Sequence, residues 1–233
     1  METASTLGSD RTDGALVRLG GLLGFLNFGI FVVVNFLLIG DLPPDGAGSA
    51  ELKAYISDQA DSMAIANGLR NLAFFCFAFF AAAVYTLIGR SKTPIGKAWG
   101  IVGLLGAVAL MTLGTLANAF QTLIFVNIDG LSERAEIFQL LWNLSRLLFR
   151  TAQAVFAGIF FVGFSIAGCR SAVMPRWLAV LGLVAAAAAL VTAVGIASVM
   201  AGGWAWNVRV VAEPLGAVWF LCVCVLLIRR AAA

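Results

Sequence analysis

Long apolar runs separated by short polar segments make up most of this chain. Each of the six long runs spans about 20 residues or more, the length that an α-helix needs to cross a hydrocarbon core of ~30 Å. The pattern therefore predicts an all-α fold, a bundle of six transmembrane helices, with one domain at residues 15–230 and a disordered tail at residues 1–14. The predicted spans are residues 15–40, 63–89, 98–126, 136–168, 177–201 and 208–228.

The longest polar segment runs from Asp41 to Asp61, after the first span. It opens with Asp-Leu-Pro-Pro, and the two prolines end the helix because proline lacks the backbone N–H that a helix interior requires. Residues 51–60 are then predicted to form a short amphipathic helix at the surface.

Basic residues concentrate on one side of the predicted bundle. Because successive spans alternate in direction, nine of the 15 Lys and Arg residues fall on the side that holds both termini. Cytoplasmic loops of membrane proteins carry such an excess of basic residues. The N- and C-termini are therefore predicted to be cytoplasmic. The nine residues are Arg11, Arg18, Arg90, Lys92, Lys97, Arg170, Arg176, Arg229 and Arg230.

Composition narrows the available chemistry. The chain is 61% apolar and 12% charged, with a mean hydropathy of +0.98, which indicates an integral, multi-pass membrane protein. It has no histidine, which excludes histidine ligands to haem or zinc and hydrolysis by a Ser-His pair. Its four cysteines form no CxxC pair, and no basic block suits nucleic acid. We therefore expect no metal or cofactor, no nucleic-acid partner, and the lipid bilayer as a partner.

The fourth predicted span begins with a polar stripe and continues as an uncharged helix. Gln139, Asn143, Arg146, Arg150 and Gln153 recur at steps of three or four residues, so they fall within about an 80° wedge of one helix face. A polar stripe that enters a membrane helix is either an anchor at the interface or the wall of a site. Both interpretations remain open.

Three arginines lie at a common predicted depth. Counting ~1.5 Å per residue from the cytoplasmic end of each span places Arg70, Arg150 and Arg209 about 27–30 Å away, at the opposite boundary of the hydrocarbon. One explanation is that each side chain extends to lipid phosphates. The other is that they face the bundle, because Asn67, Arg70 and Asn71 share a helix face that continues as small residues.

The second explanation predicts a polar, Arg-lined vestibule that opens to the outside of the membrane. Its net positive character suits an anionic or amphipathic small molecule or a lipid headgroup. An arginine that is buried away from water also needs a carboxylate to pair with its charge. The predicted carboxylate partners are Asp61, Glu136 and Glu213. The predicted ligand-binding residues are Arg70, Asn71, Asn118, Arg146, Arg150 and Glu213.

Two other classes of function remain open, an accessory membrane subunit without a ligand and a membrane-embedded enzyme that acts on a lipid or isoprenoid. An accessory subunit, or a helix-mediated homo-oligomer, needs faces of small residues, which Gly20, Gly24 and the Ala185–Ala189 run supply. The enzyme would use Glu136 or Glu213 as an acid. The sequence shows no nucleophile–base pair and no paired carboxylates on one face, so no catalytic residue is assigned.

Residues 87–105 and 166–184 align with each other at an offset of about 79 residues. This alignment indicates that spans two and three form a hairpin resembling the hairpin of spans four and five. The alternative is a chance recurrence of Pro, Gly and Trp at the start of membrane helices.

Three segments carry a resemblance to a known family: LVRLGGLLGFL in the first span, MAIANGLRNLAFFCFAFF in the second and VMPRWLAVLGLVAAAAALVTAVG in the fifth. From about residue 16 to 228, the chain resembles the uncharacterised bacterial six-helix membrane proteins grouped as domain of unknown function 4386. The resemblance implies a multi-pass protein of the bacterial plasma membrane and supplies no established activity. Members of that family commonly have a His near the fourth span, and this chain has none.

Overall fold

The computed structural model describes residues 3–39, 48–91, 93–127, 130, 134–195, 197–198 and 203–231, without the side chains of residues 3–13, 49, 135, 150, 151 and 206. All regular secondary structure in these residues is helical, as the sequence pattern predicts. The elements are α1 (Thr3–Val32), which continues as a π-helical segment (Val33–Leu38), α2 (Ser49–Asp58), α3 (Ala60–Gly89), α4 (Pro94–Val126), α5 (Ala135–Leu147), a second π-helical segment (Leu148–Ala152), α6 (Gln153–Arg170), α7 (Arg176–Val194) and α8 (Trp204–Ala231).

Within the described residues, six helical stretches are long and apolar enough to cross a membrane, which confirms the predicted number of spans. Several boundaries differ from the predicted ones by a few residues, the helix of the fifth span ends at Val194 where residue 201 was predicted, and two differences change the elements themselves. The helix α1 begins at Thr3, inside the segment predicted as a tail, and the fourth predicted span is divided into α5, the second π-helical segment and α6. The six stretches are Gly14–Leu38, Ala60–Gly89, Pro94–Val126, Gln153–Arg170, Arg176–Val194 and Asn207–Ala231.

The spanning helices pack as a closed ring, in the order α1, α3, α4, α6, α7, α8 and back to α1. Each helix therefore contacts the spanning helices that precede and follow it in the chain, as expected when short turns join antiparallel neighbours. The short helices lie outside this ring: α5 packs on α4, and α2 packs on α5.

Large aromatic side chains from alternate helices of the ring fill its centre. Phe80 of α3 and Phe220 of α8 have ring centroids 4.2 Å apart. Phe160 of α6 lies 5.3 Å from Phe77 of α3 and 5.6 Å from Trp219 of α8, again between centroids. All five side chains are buried. These tilted and edge-on contacts link α3, α6 and α8 across the ring. The aromatic side chains fill the space between the three helices.

The other three helices, α1, α4 and α7, approach their neighbours through small residues. A methyl group on Gly24 of α1 or on Gly182 of α7 would collide with side chains of the aromatic helices, in the second case with Trp219. Backbone meets backbone where Gly103 of α4 approaches Gly163 of α6, so a methyl group on Gly163 would overlap the Gly103 backbone. Small residues thus let these helices lie in the grooves between the aromatic helices.

The two hairpins α3–α4 and α6–α7 turn at the same end of the ring. The Thr93 hydroxyl of the first turn lies 3.5 Å from the Ser171 hydroxyl of the second. The helix α1 starts at this end too, because a methyl group on Gly14 would lie 3.6 Å from the Ala231 carbonyl oxygen of α8. We call it the basic end, after its described residues Arg90, Lys97, Arg170, Arg176, Arg229 and Arg230.

The opposite end of the ring, called the amide end, carries an apolar layer beside α2. This short helix is present where the sequence predicts it, and its Leu52 and Ile56 are buried against Phe138 and Trp142 of α5. The Tyr55 ring also meets the Trp142 ring edge-on, with centroids 6.3 Å apart. An amphipathic helix of ten residues is stable here because its apolar face is covered by α5.

Candidate functional site

A network of side-chain hydrogen bonds joins α3 to α4 at the amide end. The Nδ2 group of Asn118 donates to the Asn67 carbonyl oxygen and to Asn71 Oδ1, at 2.9 Å each. The Nδ2 group of Asn67 donates to Thr122 Oγ1 at 3.2 Å, and the Thr122 hydroxyl donates to the Asn118 carbonyl oxygen at 2.9 Å. The bond from Thr122 to Asn118 lies within α4, whereas the other three bonds cross between the helices and fix the register of α3 against α4.

Arg70 extends this network toward Gln121. Its Nη1 atom donates to Gln121 Oε1 at 2.6 Å and to Asn67 Oδ1 at 3.1 Å. Both acceptors are uncharged amides, so the half-buried guanidinium carries a positive charge that its described hydrogen-bond partners do not neutralise. We call the connected residues the polar cluster: Asn67, Arg70, Asn71, Asn118, Gln121 and Thr122.

The second π-helical segment places an aromatic ring against Arg70. The Cζ atom of Arg70 lies 5.1 Å from the centroid of the Phe149 ring, within the range of a cation–π contact. A π-type turn contains one more residue than an α-turn, so it rotates the residues that follow it. The polar stripe predicted for span four assumes regular helical periodicity, and Leu148–Ala152 interrupts that periodicity. Such segments are frequent at functional sites, and the sequence pattern gives no sign of this one.

Arg146 lies one helical turn before Phe149, on α5. It is only 8% exposed. Its neighbour Ser145 donates a hydrogen bond through its hydroxyl to the Ala117 carbonyl oxygen at 3.2 Å, which joins α5 to α4 directly beside Asn118. Arg70 and Arg146 therefore both belong to the region where α3, α4 and the second π-helical segment meet.

A shallow groove of about 350 Å³ runs along α4, beside Asn71 of α3, at the edge of the polar cluster. Its exposed residues include Thr115, Ala119 and Thr122, and its apolar wall includes Val126, which is 75% exposed. The groove opens on the surface of the bundle and extends from Asn71 and Thr115 to the end of α4 at Asn127. Its lining residues are Asn71, Thr115, Asn118, Ala119, Thr122, Leu123, Val126 and Asn127.

The structure brings three of the predicted ligand-binding residues together. Arg70, Asn71 and Asn118 belong to the polar cluster, and Asn71 and Asn118 also line the groove. Arg146 lies near them on α5. For Arg150 only the backbone is described, in the second π-helical segment, and its side chain lies outside the described residues.

Glu213 lies in a different part of the bundle. Its carboxylate accepts a hydrogen bond from Arg209 Nε at 2.6 Å, one turn earlier on α8, and forms an ion pair with it. No described contact links Glu213 to the polar cluster. Asp61 and Glu136, the other predicted carboxylate partners, are exposed. Amides take the place of these carboxylates around Arg70.

Gln121 and Phe149 both contact the Arg70 guanidinium. Neither is among the ligand-binding residues predicted from the sequence. The depth of Gln121 is predictable from helical rise, but its pairing with Arg70 depends on how α3 and α4 are rotated. Within the described part of the chain, no group of three or more His, Cys, Asp or Glu residues is placed to hold a metal ion.

No protein-family model, no curated protein and no solved structure matches this chain.

Proposed function

We propose that this chain is an integral membrane protein that binds an anionic amphipathic molecule at the amide end, with Arg70 holding the anionic group. The observation that carries the proposal is the pairing of the Arg70 guanidinium with the uncharged amides of Asn67 and Gln121. A half-buried cation normally acquires a carboxylate, because removing a charge from water is costly unless an opposite charge compensates it. A ligand carboxylate or phosphate would supply the negative charge that the described partners of Arg70 lack.

The guanidinium retains donors for such a ligand. Arginine has five N–H donors in a planar fork that matches carboxylate and phosphate oxygens. The described residues accept hydrogen bonds from Nη1. The edge formed by Nε and Nη2 is the one that would receive an anionic group, with the Phe149 ring and the Gln121 amide holding the fork in place.

The depth of the site favours an amphipathic ligand over a fully soluble one. Arg70 precedes Arg90 by 20 residues on one helix, which corresponds to ~30 Å of rise. This distance is the thickness of the hydrocarbon core, so Arg70 belongs at the level of lipid headgroups. We propose that the basic end faces the cytoplasm and the amide end the outside of a bacterial plasma membrane, in accordance with the positive-inside rule and the family resemblance.

The test compares two short-chain lipids that differ in headgroup and net charge, neither of which carries an alcohol group. Full-length protein is purified in a zwitterionic detergent, and its Tm is measured with dihexanoyl phosphatidate and with dihexanoyl phosphatidylcholine. We expect phosphatidate at about 100 times its Kd to raise the Tm by about 5 °C, and phosphatidylcholine to have little effect. Native mass spectrometry of the purified protein would identify a ligand that copurifies with it.

Arg70→Gln should abolish the response to phosphatidate. The matched control is Arg209→Gln, which removes the same charge from α8, where the half-buried Arg209 pairs with the exposed carboxylate of Glu213. An equal response of both variants to phosphatidate, or of the wild type to both lipids, would overturn the proposal.

One observation favours a second candidate function, that of an accessory subunit without a ligand. The side chains of the polar cluster bond largely to one another, which would hold α3 and α4 in register for association with another protein. In that case no anionic lipid would stabilise the protein. Arg70→Gln would then lower the Tm without altering any ligand response.

A further inference from the structure

Gln153 places an uncharged amide between three helices, at a point nearer to the basic end than the polar cluster. Its Nε2 atom would lie 2.6 Å from a methyl group on Gly114 of α4, and the same methyl group would meet the ring of Phe74 of α3. The Gln153 amide of α6, the Phe74 ring of α3 and the backbone of α4 therefore come together at this point.

The position of this amide is aligned with Arg70. Phe74 follows Arg70 by four residues on α3, which is about one helical turn along the same helix face. Gln153 likewise follows Phe149 by four residues, and the Phe149 ring contacts the Arg70 guanidinium. Two helices thus place the Gln153 amide about 6 Å closer to the basic end than Arg70.

The Gln153 amide lies at the depth of the hydrocarbon. Gln153 precedes Arg170 by 17 residues on α6, or ~26 Å of helical rise, whereas the hydrocarbon core is ~30 Å thick. The amide forms no hydrogen bond within the part of the chain that the structure describes, and its atoms are not fully enclosed because the residue is only half-buried. A polar group at this depth is costly until a partner reaches it.

The chemistry of the amide selects the kind of partner. Its Nε2 group donates hydrogen bonds and carries no charge, so it favours an uncharged acceptor. In a phospholipid whose phosphate is held by Arg70, the next polar groups toward the hydrocarbon are the ester carbonyl oxygens, which can only accept. A fatty acid or a prenyl phosphate has no polar group at that depth and would leave the amide without a partner.

We infer that the anionic ligand of Arg70 is a diacyl glycerophospholipid, and that Gln153 donates a hydrogen bond to one of its ester carbonyl oxygens. This inference rests on the proposed function, because Arg70 must hold the phosphate for the ester to reach Gln153. Arg70 then recognises the charge of the lipid and Gln153 recognises its ester linkage. The acyl chains continue into the hydrocarbon, toward the basic end.

The experiment compares dihexanoyl phosphatidate with its diether analogue, 1,2-di-O-hexyl phosphatidate. The two lipids have the same headgroup and chain length, and they differ only in the two carbonyl oxygens. Titration of the Tm of full-length protein in the zwitterionic detergent gives an apparent Kd for each lipid. We expect the diester to bind about three- to tenfold more tightly than the diether, as one hydrogen bond would contribute.

The key variant is Gln153→Met, which keeps a long side chain of similar volume but removes the donor. It should still respond to phosphatidate, but it should bind the diester and the diether with equal affinity. The matched control is Gln59→Met, the same substitution between α2 and α3, which should retain the preference for the diester. Gln153→Leu repeats the test if Gln153→Met fails to fold.

Equal affinities of the wild type for the diester and the diether would overturn the inference and leave the proposed function intact, because that function is tested against phosphatidylcholine. A preference for the diester that persists in Gln153→Met would also overturn the inference. A wild type that responds to neither phosphatidate would refute the proposed function as well. Arg70→Gln should lose the response to both lipids.

Discussion

The guanidinium of Arg70 lies over the ring of Phe149, with 5.1 Å between Cζ and the ring centroid. This contact joins α3 to the π-helical segment between α5 and α6, at the point where the helical periodicity of the fourth predicted span changes. The ring faces a cation whose described hydrogen-bond acceptors are neutral, so it is one of the groups that stabilise the charge.

Phe149→Leu should destabilise the protein because it keeps an apolar side chain but removes the cation–π contact. We expect a loss of about 0.5–2 kcal/mol, or a decrease in Tm of a few degrees. Thermal unfolding in detergent measures it. Phe36→Leu, at a side chain that is 74% exposed on the first π-helical segment, is the control and should change the Tm little. Equal effects of both substitutions would contradict a specific contact with Arg70.

Gln121→Glu should supply Arg70 with an internal counter-ion. The carboxylate would occupy the position of the present amide, 2.6 Å from Nη1, so an anionic ligand would gain less from binding. We expect the Tm increase with phosphatidate to fall by at least half, while the fold persists. Gln59→Glu adds the same charge before α3 and should leave the response unchanged. If Gln121→Glu responds as the wild type does, Arg70 is not the anion-binding group.

Two fully buried serines should respond in opposite directions to the same substitution. Ser165 Oγ has no hydrogen-bond partner in the described structure, whereas the Ser145 hydroxyl donates to the Ala117 carbonyl oxygen. Ser165→Ala should therefore raise the Tm, because it removes a buried polar group that costs about 1–3 kcal/mol when unsatisfied. Ser145→Ala should lower stability by about 0.5–1.5 kcal/mol. A decrease in Tm for Ser165→Ala would indicate a bond that the structure lacks.

Gly163→Ala tests the close approach of α6 to α4. The added methyl group would overlap the backbone of Gly103, which cannot move without separating the two helices. We expect a loss of about 1–3 kcal/mol or more. Gly29→Ala on α1, where no atom lies within 4 Å, should be neutral or stabilise by about 0.5–1 kcal/mol because alanine favours the helix. Similar Tm values for the two variants would argue against this helix contact.

The orientation of the chain in the membrane can be tested with its own cysteines. Cys169 is exposed at the basic end, whereas Cys76 and Cys224 are buried. A membrane-impermeant maleimide should label Cys169 only after the cells are permeabilised, if the basic end is cytoplasmic as proposed. Asn127→Cys in a Cys169→Ser background moves the thiol to the amide end and should be labelled in intact cells. The opposite pattern would reverse the proposed orientation.

The number of spans and the surface helix α2 were predictable because apolar length and proline positions are local properties of a sequence. Asn67, Arg70 and Asn71 were also predictable as one face of a helix, since they belong to consecutive turns. Their partners were not. Depth and charge alone placed three carboxylates near the arginines, those of Asp61, Glu136 and Glu213. Depth does not determine how one helix is rotated against another, so this prediction of partners was wrong for Arg70. Gln121 meets Arg70 because of that rotation.

The second π-helical segment was unpredictable for a different reason. A polar stripe is recognised by assuming a constant rotation per residue, and an inserted residue changes that rotation without changing the composition of the segment. Gln153 was expected to continue the stripe of Gln139 and Asn143. It lies instead at the first turn of α6, where its Nε2 atom would be 2.6 Å from a methyl group on Gly114 of α4.

The aromatic side chains at the centre of the ring have a consequence for how molecules move. Phe77, Phe80, Phe160, Trp219 and Phe220 occupy the axis along which a solute would have to travel, and they interlock between three helices. Opening a passage would require these rings to separate against their mutual packing. Exchange with the surrounding leaflet, through the side of the bundle, needs no such rearrangement. If the amide end binds a ligand as proposed, that ligand would therefore leave by the side on which it entered.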